Sequence, residues 1–200
     1  MHYHNHIEDG GGFMVDFDIE IYPELKCTAS DIRIPEDSII VGKIESDDIR
    51  VYIKNEVYNK LEEYAKSDVN HELGSILIGD YTEEYEKLHI IISDFIYAKY
   101  TDATAASLTF THKTWDYIYK IKEQEYPDKK IIGWQHTHPG YGIFLSGYDM
   151  FIQENFFDMD FQVAYVIDPV HITRGFFQWK NRRVEKLKGF YIYEGEDIWH

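Results

Sequence analysis

The chain has 200 residues, 44% of them hydrophobic and 16% aromatic, enough to close a core and too apolar for a disordered chain. Its 20 Lys+Arg against 36 Asp+Glu give a formal net charge of -16, which leaves no cation excess to displace phosphate counterions and argues against nucleic acid and an anionic membrane surface as partners. The single cysteine, Cys27, forbids an intrachain disulfide, a Cys-rich structural zinc site and the paired-Cys zinc site of nucleobase deaminases. An acidic body serves either solubility or attraction to a basic protein partner. No apolar run approaches the roughly 18 residues of a spanning helix. The start, Met1 to His6, lacks the basic and apolar regions of a secretory signal. The expected location is the cytoplasm.

Residues 1–12 end in three glycines and are expected to be a flexible lead-in, whose His2, His4 and His6 are unsuited to a catalytic ion. From Phe13 to Tyr22 apolar and acidic residues alternate, the pattern of a half-buried strand, and Pro23 ends it. Shorter strand-like pieces follow around Ile32 to Pro35 and Ser38 to Gly42, so residues 13–48 read as a β-rich N-terminal extension and the place where a protein partner would dock. Residues 49–200 form the main domain. Ile49, Val51 and Ile53 alternate as a strand; Asn55 is then placed to cap a helix with Val57, Leu61, Tyr64 and Ala65 on one side. Leu73 to Gly79 is an apolar run bounded by a turn, hence a buried strand. Leu88 to Ile96 and Ala106 to Thr111 continue the strand pattern. Lys113 to Gln124 reads as a helix with Trp115, Ile118, Tyr119 and Lys122 along one stripe. Lys130 to His138 is a strand, Ser146 to about Phe157 a helix, and Gln162 to Ile167 a strand closed by Asp168-Pro169. Gly175 to Trp179 and Phe190 to Tyr193 complete the set. Strands alternating with helices predict an α/β fold, a mixed β-sheet with helices packed on it.

The chemistry concentrates in His136-Thr137-His138-Pro139 and Ser146-Gly147-Tyr148-Asp149. On one strand the period of two sends His136 and His138 to the same face, roughly 7 Å apart at Cα, within reach of one ion. Asp149 can supply a third, anionic ligand, and a fourth position left to water is the pattern of a catalytic zinc. Ser146-x-x-Asp149 also matches a helix capping box, and the two roles are compatible. Ser146 would face the cavity with a hydroxyl able to donate to a developing oxyanion. A general base is still needed, and Glu72, at the mouth of an apolar strand, is the candidate; the alternative is a solvated loop carboxylate.

Glu72 to Gly79, followed by Gly133 to Asp149 with its His-Thr-His-Pro and Ser-x-x-Asp elements, resembles the JAMM (MPN+) metalloprotease motif. The chain shares the H-P-G-[YF]-G and L-S-G-x-D phrasing of the proteasome-lid deubiquitinase and signalosome deneddylase catalytic domains. Gln162 to Pro169 is similar to the family's strand after the metal helix, and the likeness runs over roughly residues 49–180. The resemblance implies a cytidine-deaminase-like MPN domain and Zn2+ held by His136, His138 and Asp149. It further implies Glu72 as general acid/base and Ser146 as oxyanion stabiliser. The implied activity is hydrolysis of the isopeptide bond between ubiquitin, or a ubiquitin-like protein, and lysine. The chain's size favours a prokaryotic deconjugating or processing enzyme. The alternatives are a non-catalytic MPN scaffold and a JAMM peptidase for a different amide. Gln135 stands where an aromatic or apolar residue is common, so a difference at the strand edge is expected.

Overall fold

The computed structural model describes residues 37–195. The lead-in at 1–12 and the strands expected at Phe13 to Tyr22 and Ile32 to Pro35 lie outside the described residues. The elements in chain order are β1 (Ser38–Gly42), β2 (Arg50–Lys54), α1 (Asn55–Ser67), β3 (Gly74–Glu84), β4 (Lys87–Tyr97), β5 (Asp102–Ala103) and β6 (Leu108–Thr109). They continue with α2 (His112–Glu125), β7 (Lys130–Thr137), α3 (Gly147–Phe156), β8 (Val163–Asp168), β9 (Thr173–Lys180), β10 (Arg183–Lys186) and β11 (Gly189–Tyr193).

Nine strands form one mixed sheet in the order β1-β11-β2-β4-β3-β7-β8-β9-β10, and β5 and β6 form a separate hairpin. Pairs β11/β2, β2/β4 and β7/β8 are parallel, and the remaining pairs are antiparallel. A parallel pair cannot be closed by a tight turn, so α3 carries the chain from β7 over to β8. Strand alternation, interrupted in β7 where the β3/β7 register shifts, divides most buried apolar side chains between two main cores. Leu77, Ile132, Val163, Tyr165 and Ile167 face Val57, Leu61 and Ala65 of α1. Their neighbours Ile76, Ile78, Trp134, Ala164 and Val166 face Ile118 of α2 and Ile152 of α3. The result is the expected mixed sheet flanked by helices. The Ser38 to Gly42 piece of the expected N-terminal extension adds to this sheet as its edge strand beside β11.

Several local expectations are corrected. Asn55 is the first helical residue of α1 and not its cap, and Lys54 at the cap position makes no side-chain capping bond. The helix is held instead by its apolar face and by Glu62, which Arg174 of β9 pairs at 2.7 Å. Helix α2 starts from a Thr111/Thr114 capping box. In α2, Ile118 is fully buried, whereas Tyr119 is 43% exposed and lies off the buried stripe. The strand expected over 106–111 shrinks to Leu108–Thr109. Gln135 is not at an edge: β7 lies between β3 and β8, and the Gln135 side chain, fully buried, accepts from the Ser75 hydroxyl at 2.9 Å. Gly133 shows why β7 can pack so closely against β8. At φ +153° a Cβ there would meet the Val163 carbonyl oxygen at 2.0 Å, so only glycine fits the position.

Candidate metal centre

The C-terminal end of β7 is where the sheet becomes a site. His136 lies within the strand, and His138 follows it immediately, its N–H still donating to the Ile167 carbonyl as the ladder would. That continuation keeps the two imidazoles on one face, the face that carries Trp134. The Trp134 indole stacks on His136 at 4.3 Å with an interplanar angle of 10°, and Phe144 lies 4.7 Å from the His138 ring. Trp134 is itself fixed by donating to Gln153 of α3 at 2.8 Å. Gln153 in turn donates to the carbonyls of Phe157 and Gln162. The supporting roles of Trp134 and Gln153 are invisible in the chain's linear order, because 19 residues separate them.

Asp149 reaches the same face from the first turn of α3. Ser146 caps that helix: its hydroxyl accepts from the Asp149 N–H at 3.2 Å, and its own N–H donates to Asp149 Oδ2 at 2.7 Å. The cap therefore holds Asp149 twice, by its backbone N–H and by one carboxylate oxygen. A hydroxyl that accepts from the backbone keeps its own hydrogen for a further acceptor.

The three side chains converge. His136 Nε2 and His138 Nε2 are 3.0 Å apart, His136 Nε2 lies 3.4 Å from Asp149 Oδ1, and His138 Nε2 lies 3.3 Å from Asp149 Oδ2. A tetrahedral ion with bonds of about 2.0–2.1 Å sets its donors about 3.3–3.4 Å apart, so the two imidazoles and the two carboxylate oxygens that face them stand at close to the separations such an ion needs. Two imidazoles and a carboxylate are also a donor set that suits zinc. It is the one such cluster among the described residues, and all three members are buried. The His138 Nδ1 contact to the Gly142 carbonyl at 3.2 Å requires a proton on Nδ1, so Nε2 is the nitrogen that could give a lone pair to an ion.

Glu72 faces this group. It precedes β3, and its N–H donates to the Thr104 carbonyl in the β5–β6 turn at 2.8 Å. The next residue, Leu73, donates its N–H to the Thr137 hydroxyl, which ties the Glu72 loop to the end of β7. The Glu72 side chain is only 3% exposed, with Oε1 3.8 Å from His138 Nε2. Its Oε2 is buried without a hydrogen-bond partner among the described residues, as is His136 Nδ1. A buried carboxylate oxygen with no protein donor marks a place where another group is expected to bind.

The electrostatics follow from this crowding. Burial, with the Asp149 charge adding to it and His138 opposing, pushes the Glu72 carboxyl up to about 7. Burial lowers His136 and keeps it neutral. Burial also pulls on His138, but the Asp149 hydrogen bond and charge and the Glu72 charge outweigh it and raise this histidine. Burial alone would raise Asp149; hydrogen bonds from both imidazoles and its contact with Ser146 hold it well below the usual carboxylate range. One shared environment thus drives the two neighbouring carboxyls, Glu72 and Asp149, in opposite directions.

A family model described as JAB1/Mov34/MPN/PAD-1 ubiquitin protease matches residues 43–161. The 26S proteasome regulatory subunit RPN11 of Eremothecium gossypii is 28% identical over 131 residues, covering 62% of this chain and 40% of that protein. The ubiquitin carboxyl-terminal hydrolase RPN11 of Saccharomyces cerevisiae is 27% identical over the same length, with the same coverage of both chains. COP9 signalosome complex subunit 5 of Debaryomyces hansenii is 33% identical over 128 residues, 60% of this chain and 26% of that one. The chain thus spans at most about four-tenths of the length of these curated relatives. In fold it is similar to the solution structure of protein DSY2949 from Desulfitobacterium hafniense, with TM-score 0.52, 15% identity, and coverage of 73% of this chain and 93% of that one.

Proposed function

Because the chain belongs to the JAB1/Mov34/MPN/PAD-1 ubiquitin protease family, we propose that it is a zinc-dependent isopeptidase that removes or processes ubiquitin or a ubiquitin-like modifier. The observation that carries this reading is the buried triangle of His136 Nε2, His138 Nε2 and an Asp149 carboxylate oxygen with Glu72 beside it. His136, His138 and Asp149 would hold the ion. Bound there, zinc supplies a Lewis acid for the scissile carbonyl and acidifies a neighbouring water towards a pKa of about 7.

Glu72 is the proton carrier. A carboxyl raised to about 7 accepts a proton from water near neutral pH and gives it up again to the departing lysine amine, so one group serves both halves of the reaction. Its Oε2, buried and without a hydrogen-bond partner among the described residues, is open to take that proton. Ser146 keeps its backbone cap and offers its hydroxyl hydrogen to the oxygen of the attacked carbonyl. The substrate's extended tail adds as a strand at the β5–β6 hairpin, which is linked to the site through the Thr104 carbonyl and through the Thr109 hydroxyl against the Tyr148 hydroxyl at 2.9 Å. Gly140 and Gly142, at φ +83° and +84°, would keep the loop beside the site slim enough to admit a backbone.

The test is incubation with ubiquitin-like proteins carrying C-terminal fusions, and with lysine-linked conjugates, with and without chelator. Chelator-sensitive cleavage after the modifier's C-terminus is expected. A zinc-loaded protein that cleaves none of them would favour a scaffold.

A further inference from the structure

We propose that Asp168 is a positioning residue for the metal centre, acting on His138 through the Pro139 to Gly142 loop; the inference rests on the isopeptidase reading above. Asp168 ends β8, and its side chain is fully buried. Its Oδ1 accepts from the N–H groups of Gly140, Val170 and His171 at 2.9, 3.0 and 3.1 Å. Its Oδ2 accepts from the Gly142 N–H and from His171 Nδ1, both at 2.7 Å. The bonds to Val170 and His171 are what an aspartate at a strand end ordinarily makes to shape the turn after it. The bonds to Gly140 and Gly142 reach back 28 and 26 residues, into the loop that follows the metal-binding strand.

That loop holds His138 from behind. The Gly142 carbonyl takes the Nδ1 hydrogen of His138 at 3.2 Å, and the Tyr141 N–H donates to the His138 carbonyl at 3.2 Å. A carbonyl can only accept, so this contact puts a hydrogen on Nδ1 and makes Nε2 the nitrogen that would meet the ion. The carbonyl's position depends on Gly142 staying at φ +84°, although no heavy atom lies within 4 Å of where a Cβ would stand. Packing therefore does not hold Gly142 in place from that side. The Asp168 carboxylate does so through the Gly142 N–H, with a charge-assisted bond on each side of Tyr141. Asp168 touches neither His138 nor any ligand atom, and it acts by fixing where the carbonyl stands.

The experiment compares the whole protein with D168N, Gly142→Ala and, as a control for stability alone, Asp48→Asn. Asp48 is buried against Gln178 and Lys180 and belongs to no part of this chain of contacts. Zinc affinity is read by competition with a chelator. The His138 tautomer is read by long-range proton–nitrogen NMR on metal-free protein, and folding by circular dichroism. Asp168→Asn and Gly142→Ala are expected to weaken zinc binding roughly 10–100-fold and to mix the two His138 tautomers. Asp48→Asn is expected to lower stability and change neither. Zinc affinity within about twofold of the wild type, with His138 still protonated on Nδ1, in folded Asp168→Asn overturns the proposal; if that variant does not fold, Gly142→Ala decides by the same two readouts. A wild-type protein that fails to bind zinc overturns the isopeptidase reading itself, whereas equal zinc binding by wild type and variants overturns only the role of Asp168.

Discussion

Replacing Glu72 by glutamine should make the metal-free fold more stable, and more so at high pH. The carboxyl stands at about 7 against an ordinary value of 4.5, because its charged form is buried beside Asp149. Its folded pKa therefore lies above its unfolded one. The folded state keeps a proton that the unfolded state has already lost, so stability falls as pH rises from about 4.5 to about 7 and then levels off. At about 1.4 kcal/mol per pH unit, the gap of roughly 2.5 units is worth about 3 kcal/mol. Glutamine has the same shape and no charge to desolvate. Urea denaturation of chelator-stripped wild type and Glu72→Gln, near pH 5 and near pH 8.5, should show the variant gaining about 2–3 kcal/mol over wild type between the two conditions. With zinc restored, the same variant should retain the ion and lose turnover by roughly a hundredfold or more. A stability difference that does not change with pH would refute the buried-charge account, and retained turnover would remove Glu72 from proton transfer.

Other outcomes follow from the same geometry. Ser146→Ala should cost about 1 kcal/mol through the lost cap, and in turnover roughly a hundredfold or more; loss of stability alone would leave the hydroxyl a purely structural role. Gly133→Ala should destabilise by about 3 kcal/mol, since a Cβ would collide with the Val163 carbonyl; a urea midpoint equal to wild type would show that β7 and β8 separate easily. Leu61→Ala, at a fully buried position under the sheet, should cost about 2–5 kcal/mol in the same assay without changing zinc affinity. Asp168, held low by the N–H groups of Gly140, Gly142 and His171 and by the His171 ring against the opposing effect of burial, contributes stability that is present above the ordinary carboxylate range and lost as pH falls through it. Asp168→Asn should accordingly flatten the acid limb of the stability profile below about pH 4, and an unchanged limb would count against that assignment.

How much of this could be read in advance depends on how local each feature is. The β7 strand, the capping box at Ser146 and the apolar run before Gly79 are written in periods of two and in offsets of three residues, which neighbouring residues enforce on one another. His136, His138 and Asp149 belong to that class, since one strand and one helix start position them. Glu72 was only a candidate in the linear chain. Its convergence on His138 depends on β3 pairing antiparallel with β7, which sets Gly74 opposite His136 across 62 residues of sequence. The Gln135 environment, the Trp134–Gln153 support and the Asp168 clamp lie beyond local pattern for the same reason. Each joins side chains whose distance apart is set by sheet order, and periodicity says which face a residue takes but not which strand lies next to it. Chain order by itself thus determined the candidate ligands and the elements that carry them. Only the tertiary structure decided which carboxylate stands against those side chains and what holds the two imidazoles in place.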